Sequence, residues 1–422
     1  MRKDTVNMAI TGLGVRGMML LEELLTIPAV RIAAVCDIYE DRMRAGADRA
    51  AAAGQARPAV YTDYREMLAA GGLDGVVVAC DWTAHMPVTR AALKAGVPVG
   101  LEVGGATSLF ECFELVRLSE ETGVPCMLLE NCCYGREEMA VLHMIKLGVL
   151  GEIIHCACGY LHDLREEICL GRENRHYRLD NYLHRNGDNY PTHGIGPIAQ
   201  YLGINRGNRF LSLSSVASKS RGLRNWAAAH LPADHPLQER TFNQADVVTT
   251  MIQCANGETV LCTLNTCLPR PYSRGGLVQG TKGIWMEEGR RLHLDGRGEA
   301  DEWIPPISIW LSSIIPYGWN TSGRGCTRRD TTAWIICACA RWWRAFKRGL
   351  PRPSTYTMPP PGWRLPFCPS NRSPWAARRS PSPILPAGNG SIAGRGRSAN
   401  TRSIAYAASC SECTPLGKEA CR

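Results

Sequence analysis

Short apolar runs alternate with longer stretches of helical periodicity from Val6 to Leu129, the pattern of a doubly wound parallel sheet. Strands are predicted at Val6–Thr11, Arg31–Cys36, Gly75–Cys80, Val97–Glu102 and Val124–Leu129. Helices fit between them, each ended by Gly or Pro: Met18–Leu25 stops before Pro28, Tyr39–Ala53 at Gly54, Val88–Lys94 at Gly96 and Leu109–Thr122 at Gly123. After Asn131 the texture changes to a helix at Glu137–Lys146 and longer strands at Glu152–Gly159, Phe210–Ala217, Val247–Cys254 and Thr259–Thr266, separated by loops dense in Arg, His, Tyr and Asn. Asn256-Gly257 between the last two predicts a type I′ hairpin, a turn that needs positive φ at both central residues. A helix at Gly196–Gly203 and closing strands at Leu277–Met286 and Leu292–Leu294 complete an open, mostly antiparallel sheet domain. The fold class is therefore α/β, a Rossmann sheet followed by an α+β domain. The predicted domains are residues 1–129, 130–303 and an irregular tail, 304–422.

Between the first strand and the first helix stands Gly12-Leu13-Gly14-Val15-Arg16-Gly17. In such a loop the first glycine allows the tight turn, the second lets backbone amides approach a pyrophosphate, and the third lets helix and strand pack closely. The helix N-terminus then faces the phosphate charge. Asp37, twenty residues past Gly17 at the end of the second strand, is placed to accept from a ribose 2′-hydroxyl and would repel a 2′-phosphate, so NAD is expected rather than NADP.

The chain has 422 residues, 45% hydrophobic and 21% charged, ordinary for a soluble protein of two or three domains. Its net charge of +9 is unevenly spread. Residues 1–303 hold 31 basic and 36 acidic side chains, whereas 304–422 hold 17 and 3. The excess therefore belongs to the tail, which has no nucleic-acid-binding motif or periodicity, and a nucleic-acid partner is not expected. No apolar run reaches the roughly 18 residues that span a bilayer, and no charged-then-apolar leader opens the chain, so a cytoplasmic location without membrane attachment is expected. Twelve of the 19 cysteines precede Ile304 without the repeated C-x-x-C spacing of a zinc site, and Cys132-Cys133 and Cys156-x-Cys158 are too close for ordinary disulfides. Reduced, buried thiols and no metal are the expectation.

A Rossmann half followed by such a sheet domain resembles the Gfo/Idh/MocA oxidoreductases, and particular phrases narrow the resemblance. They are Leu129-Glu130-Asn131-Cys132-Cys133-Tyr134, the run from Cys158 through Tyr160 to Arg165, and the run from Arg185 through Tyr190-Pro191-Thr192-His193-Gly194 to Pro197. Asn205–Arg209, Ser218–Leu223, Leu268–Ser273 and Val278–Gly283 add to them. Together these phrases resemble glycosyl hydrolase family 109, continuously to about residue 290. Dehydrogenases of the wider group usually carry Glu-Lys-Pro where this chain has Glu102-Val103-Gly104, and the missing lysine fits the hydrolase subfamily.

The resemblance implies an NAD-dependent glycosidase, α-N-acetylgalactosaminidase-like, acting on a small glycoside. In the implied cycle the sugar's C3 hydroxyl is oxidised to a ketone at NAD⁺, the acidified C2 proton is removed, the C1 substituent is eliminated, water adds, and the hydride returns. A conventional glycosidase would need two carboxylates flanking the bond. Carried over by matching phrase, Tyr160 is the base at C2 and His193 assists at the C3 hydroxyl, while Glu130, Arg178, Tyr190 and Tyr272 contact the sugar. Glu102 and Glu130 join Gly12 through Gly17 and Asp37 around the cofactor. A tyrosine base needs nearby cations, for which Arg165 and Arg178 are candidates, whereas histidine needs none. His162 could equally brace a loop, and Tyr134 and Tyr177 could be packing. The competing readings are an NAD-dependent sugar or inositol dehydrogenase, or an inactive truncated member. A homo-oligomer is left open.

Beyond Glu302 the resemblance stops, and 7 of 11 tryptophans and 15 of 26 prolines follow Trp303. This stretch reads either as a basic disordered tail or as a translation out of frame. Shifting the frame of codons for Arg329–Trp343 by one nucleotide permits Gly-His-Asp-Gly-Met-Asp-Tyr-Leu-Cys-Leu-Arg-Ala-Leu-Val, which resembles the family's missing helix. A shift near Pro305 is the reading favoured here, because a natural fold is consistent element by element. Sequencing the encoding DNA is expected to show a disrupted frame; an intact frame with the same tail in near relatives would remove the idea.

Overall fold

The computed structural model describes residues 5–304; the readings made for the tail lie outside them. The first half runs β1 (Val6–Thr11), α1 (Val15–Leu25), β2 (Val30–Cys36), α2 (Glu40–Ala52), β3 (Ala59–Tyr61), α3 (Tyr64–Ala69), β4 (Gly75–Val78), α4 (Trp82–Lys94), β5 (Val99–Leu101), α5 (Leu109–Thr122) and β6 (Cys126–Leu128). All six strands are parallel in the order β3-β2-β1-β4-β5-β6. Strand order reverses direction between β1 and β4, and ligands of open α/β sheets bind at the carboxyl ends of the strands there.

Local chemistry explains most boundaries. Ser108 caps α5 by accepting from the Glu111 N–H, Glu111 in turn accepts from Thr107 N–H, and Gly123 in the left-handed region (φ 64°) ends the helix. The helix predicted from Val88 begins six residues earlier, at Trp82. The Asp81 carboxylate caps Thr83 and Ala84 N–H there, which outweighs Pro87 inside the helix. β3 and α3 were not predicted: three residues of strand and six of helix are too short to show a period.

The second half contains α6 (Arg136–Lys146), β7 (Ile153–Leu161), α7 (Arg165–Cys169), α8 (Arg178–His184), α9 (Thr192–Tyr201), β8 (Phe210–Ala217), α10 (Gly222–His230), β9 (Val247–Cys254), β10 (Thr259–Asn265), β11 (Leu277–Gly280), β12 (Gly283–Met286) and β13 (Arg291–Leu294). The sheet order is β13-β12-β11-β7-β10-β9-β8, antiparallel except for β7 beside β10. Helices α6 and α9 cover one face, burying Val141, Met144, Ile195 and Ile198 on Cys156, Ile252, Val260 and Trp285. Among the described residues, no helix is long and apolar enough to cross a membrane.

Three sequence expectations are corrected here. The strand predicted at Leu277–Met286 is a hairpin, β11 and β12 joined by Thr281-Lys282. The β9–β10 hairpin exists, but Asn256 does not have positive φ; Gly257 alone does (φ 101°), and its N–H donates to the Cys254 carbonyl across a three-residue loop rather than a type I′ turn. Helix α9 begins at Thr192, not Gly196, so His193 sits on its first turn instead of in a loop.

A buried ion cluster ties α6 to the β11 side of the sheet: Arg274 pairs with Glu138 and, at 3.2 Å, with Glu287, all at most 9% exposed. Removing the cation would strand two carboxylates in the interior. Arg274→Met is expected to cost about 3–5 kcal/mol in denaturant unfolding. Burial already raises the Glu138 carboxyl above its ordinary value, so this cost should shrink as pH falls and Glu138 takes a proton.

Candidate active site

The groove at the end of β1 has the shape a dinucleotide requires. Gly12 has φ 83°, and a Cβ on it would lie 2.4 Å from the Cys80 backbone nitrogen; one on Gly17 would lie 1.8 Å from the Gly12 carbonyl oxygen. No side chain caps the N-terminus of α1, and its first turn holds no acidic residue, leaving amides and dipole for an anion. Val15 and Ile38 are apolar yet 83% and 76% exposed, surface that a bound cofactor would cover. Asp37 stands at the end of β2, where Oδ2 accepts from Leu13 N–H at 2.6 Å and Oδ1 from Tyr39 N–H at 2.9 Å. Those bonds fix the carboxylate against the glycine loop. Arg16 reaches across the strand ends to Glu102 Oε1 (2.7 and 2.9 Å) and to Asn131 Oδ1 (3.3 Å), while Glu102 Oε2 accepts from Val103 N–H. Both Glu102 oxygens are therefore held by protein donors.

Next to this groove the two halves of the chain form one aromatic cluster. Tyr160, at the end of β7, has its ring centroid 4.6 Å from Tyr190, 5.5 Å from His193 and 6.2 Å from Tyr272. Trp82, on the first turn of α4, packs 4.7 Å from Tyr177 and 5.7 Å from Tyr190. The Arg178 guanidinium lies 4.9 Å from the Tyr190 centroid and 5.7 Å from that of Trp82, and pairs with Glu167 at 2.5 Å. Tyr160 and Tyr190 are buried, and Tyr272 stands at the rim, 48% exposed.

His193 meets Glu130 across this cluster, Nδ1 lying 2.8 Å from Oε1 and 3.0 Å from Oε2. Glu130 also accepts from Cys132 N–H, and its ligand atoms, with those of Cys132 and His193, lie within 4.8 Å of one another. Burial alone would lower the His193 pKa, but the neighbouring Cys132 and Glu130 outweigh it and hold the imidazole well above the ordinary histidine value. Glu130 responds in kind: burial disfavours its charge, yet His193 keeps the carboxyl below the usual range. His162 is the opposite case, pushed down by burial and by Arg178, and its Nδ1 lies 3.2 Å from the Tyr160 hydroxyl.

All six sequence-predicted catalytic and sugar-contacting residues thus converge. Of the two cations suggested for Tyr160, Arg178 belongs to the cluster, whereas Arg165 pairs with Asp163 at 2.8 Å. Sequence reasoning missed Trp82 and Glu167, whose involvement depends on packing between distant segments, and left His162 and Tyr177 undecided. Tyr134 packs on the Rossmann core. Val103, which stands where the Glu-Lys-Pro pattern would place a lysine, is buried in the same cluster as Trp82 and Tyr160. Gly104 beside it has φ 101°, and a Cβ there would lie 2.1 Å from the Trp82 indole nitrogen.

Residues 6–129 match the oxidoreductase family with an NAD-binding Rossmann fold, and residues 134–313 match the glycosyl hydrolase 109 C-terminal domain, so the likeness runs past Glu302, the limit expected from the sequence. The α-N-acetylgalactosaminidase of Tannerella forsythia is 42% identical over 333 residues, 74% of this chain and 71% of that protein. The chain belongs to glycosyl hydrolase family 109. A family 109 protein of Parabacteroides distasonis is also 42% identical, over 69% of this chain and 70% of its own length. Among solved structures, levoglucosan dehydrogenase in complex with NADH and levoglucosan superimposes with a TM-score of 0.61 at 17% identity, covering 82% of this chain and 90% of that one. An inositol dehydrogenase homologue from Azotobacter vinelandii complexed with NAD⁺ gives 0.61 at 19% identity over the same shares. At those identities the likeness establishes the Gfo/Idh/MocA fold. This family 109 chain is an NAD-binding glycosidase.

The Glu130–His193 pair makes a prediction that needs no substrate. By NMR, His193 should titrate above the ordinary 6.5, and Glu130→Gln, which removes one of the charges holding the proton, should move the midpoint down. A midpoint unchanged by the substitution would show that Glu130 does not set the charge of His193.

Proposed function

We propose that this family 109 member hydrolyses α-N-acetylgalactosaminides without net redox change, with Tyr160 as the base at C2 and His193 assisting at the C3 hydroxyl. The observation that carries this reading is the convergence of Tyr160, Tyr190, His193 and Tyr272 beside the dinucleotide groove, with buried Val103 in place of a lysine. Bound NAD would take the hydride from C3 and return it, which makes the C2 proton acidic in the interval. The protein supplies the proton transfers and the orientation.

Glu130 engages Nδ1 of His193, which leaves Nε2 as the nitrogen for a sugar hydroxyl. A base must be neutral, so His193 would act above its raised pKa, and the acidic limb of the rate profile should reflect that group. The Tyr160 hydroxyl has His162 Nδ1 as a hydrogen-bond partner at 3.2 Å, and the Arg178 guanidinium lies in the same cluster. Glu130, Arg178, Tyr190 and Tyr272 would hold the sugar. The two carboxylates of the cluster are each engaged by a protein side chain, Glu130 by His193 and Glu167 by Arg178, which does not favour a two-carboxylate displacement. A cytoplasmic location is consistent with twelve free cysteines in the described residues, eleven of them buried.

The test is release of p-nitrophenol from p-nitrophenyl α-N-acetylgalactosaminide, followed together with NADH absorbance and deuterium uptake at C2 in heavy water. Release with C2 exchange and no accumulating NADH is expected, and Tyr160→Phe should lower the rate by about 10²–10⁴-fold and abolish the exchange. Stoichiometric NADH without p-nitrophenol would favour a dehydrogenase instead.

A further inference from the structure

The loop between α7 and α8 belongs to the second half of the chain, yet it reaches back to α2. Arg175 pairs with Asp41 through two parallel bonds, Nη1 to Oδ1 at 3.0 Å and Nη2 to Oδ2 at 2.7 Å. Arg42 answers from the other side, its Nη2 donating to the carbonyls of Asn174 (3.3 Å) and Arg175 (3.4 Å). Both guanidinium groups also lie against Tyr39, at 4.8 Å for Arg42 and 4.4 Å for Arg175. Arg175 is one of three non-glycine residues with positive φ among the described residues (51°), a conformation that persists where surrounding contacts enforce it.

These contacts fall at the adenosine end of the dinucleotide groove. Tyr39 donates its N–H to Asp37, the acid placed for the ribose, and Asp41 follows it on the first turn of α2. A Cβ on Gly14, the glycine at which a pyrophosphate would approach, would lie 3.6 Å from Arg42 Nη1. Three residues beyond Arg175, Arg178 enters the aromatic cluster, so one short segment touches both the adenosine end and the sugar site.

We propose that residues 172–177 are a strap across the dinucleotide groove, locked by Arg175 on Asp41 and by Arg42 on the strap's carbonyls, and that this lock sets how slowly NAD leaves. A cycle that returns its hydride has no need to exchange cofactor, and a strap that slows release suits it. The inference rests on the proposed redox-neutral function only for that rationale. The strap itself concerns the cofactor groove, so it is read from NAD binding alone.

The test uses the full chain loaded with NAD, diluted into an NAD-consuming scavenger, with the release rate taken from the consumption trace. Arg175→Ala and Asp41→Asn are each expected to speed release about tenfold, and the double variant no further, because both break one lock. The pair is half exposed and salt screens it, so the parent should release NAD faster at about 0.5 M salt and Arg175→Ala should not. The exchange of Asp41→Arg with Arg175→Asp should restore slow release, which a merely misfolded loop would not do. Release within twofold of the parent in both single variants would overturn the strap while leaving the glycosidase reading intact. A parent chain that binds no NAD would overturn both.

Discussion

The site depends on one buried carboxylate. Glu130 is 2% exposed just past β6, at the carboxyl edge of the parallel sheet, and it holds His193, which the chain reaches only after the first strand of the second sheet and two further helices. A charge so placed is unfavourable unless it is paired and hydrogen-bonded. His193 and the Cys132 N–H supply that, so the chemistry of the imidazole and the docking of α9 are one requirement. The backbone accommodates it through close approach: a Cβ on Gly196 would lie 2.8 Å from Glu130 Cγ, and one on Gly194 would lie 2.7 Å from the Gly159 nitrogen. Glycines one and three residues past His193 thus let the helix come near both Glu130 and β7.

Around that pair the aromatic rings exclude water and leave few charges unmatched. Arg178 is neutralised by Glu167 and spread over the faces of Tyr190, Tyr177 and Trp82, so a cation can remain in a nearly dry cluster. Opposite shifts at His193 and His162 follow from their neighbours. The first faces a carboxylate, and the second faces burial and Arg178. Two histidines thirty-one positions apart are thereby shifted in opposite directions within one cluster.

The levoglucosan and inositol dehydrogenase structures share this scaffold, and this chain has Val103 between Glu102 and Gly104 at the end of β5. Val103 is buried in the same cluster as Trp82, Tyr160 and Tyr190, and Gly104 leaves room for the Trp82 indole. A lysine ammonium at position 103 would have to displace that packing. A shared fold therefore does not fix function, which has to be read from the side chains of the site.

Much of this was determined by the sequence alone. Strand periodicity, the glycine loop and Asp37 identified the nucleotide-binding half, because each is a local pattern whose physical need is met within about thirty residues. Motif phrases likewise singled out Tyr160, Tyr190, His193 and Tyr272, which the fold brings within one cluster. What escaped was set over long range. Asp81 started α4 ahead of a proline that locally reads as a break, and Trp82 was drawn into the site from the first turn of that helix. Arg178 found its carboxylate in Glu167, eleven residues earlier and on a different helix, and Arg175 found Asp41 across the groove. Pairing between side chains far apart in the chain depends on how sheets and helices pack, and only the tertiary structure decides that.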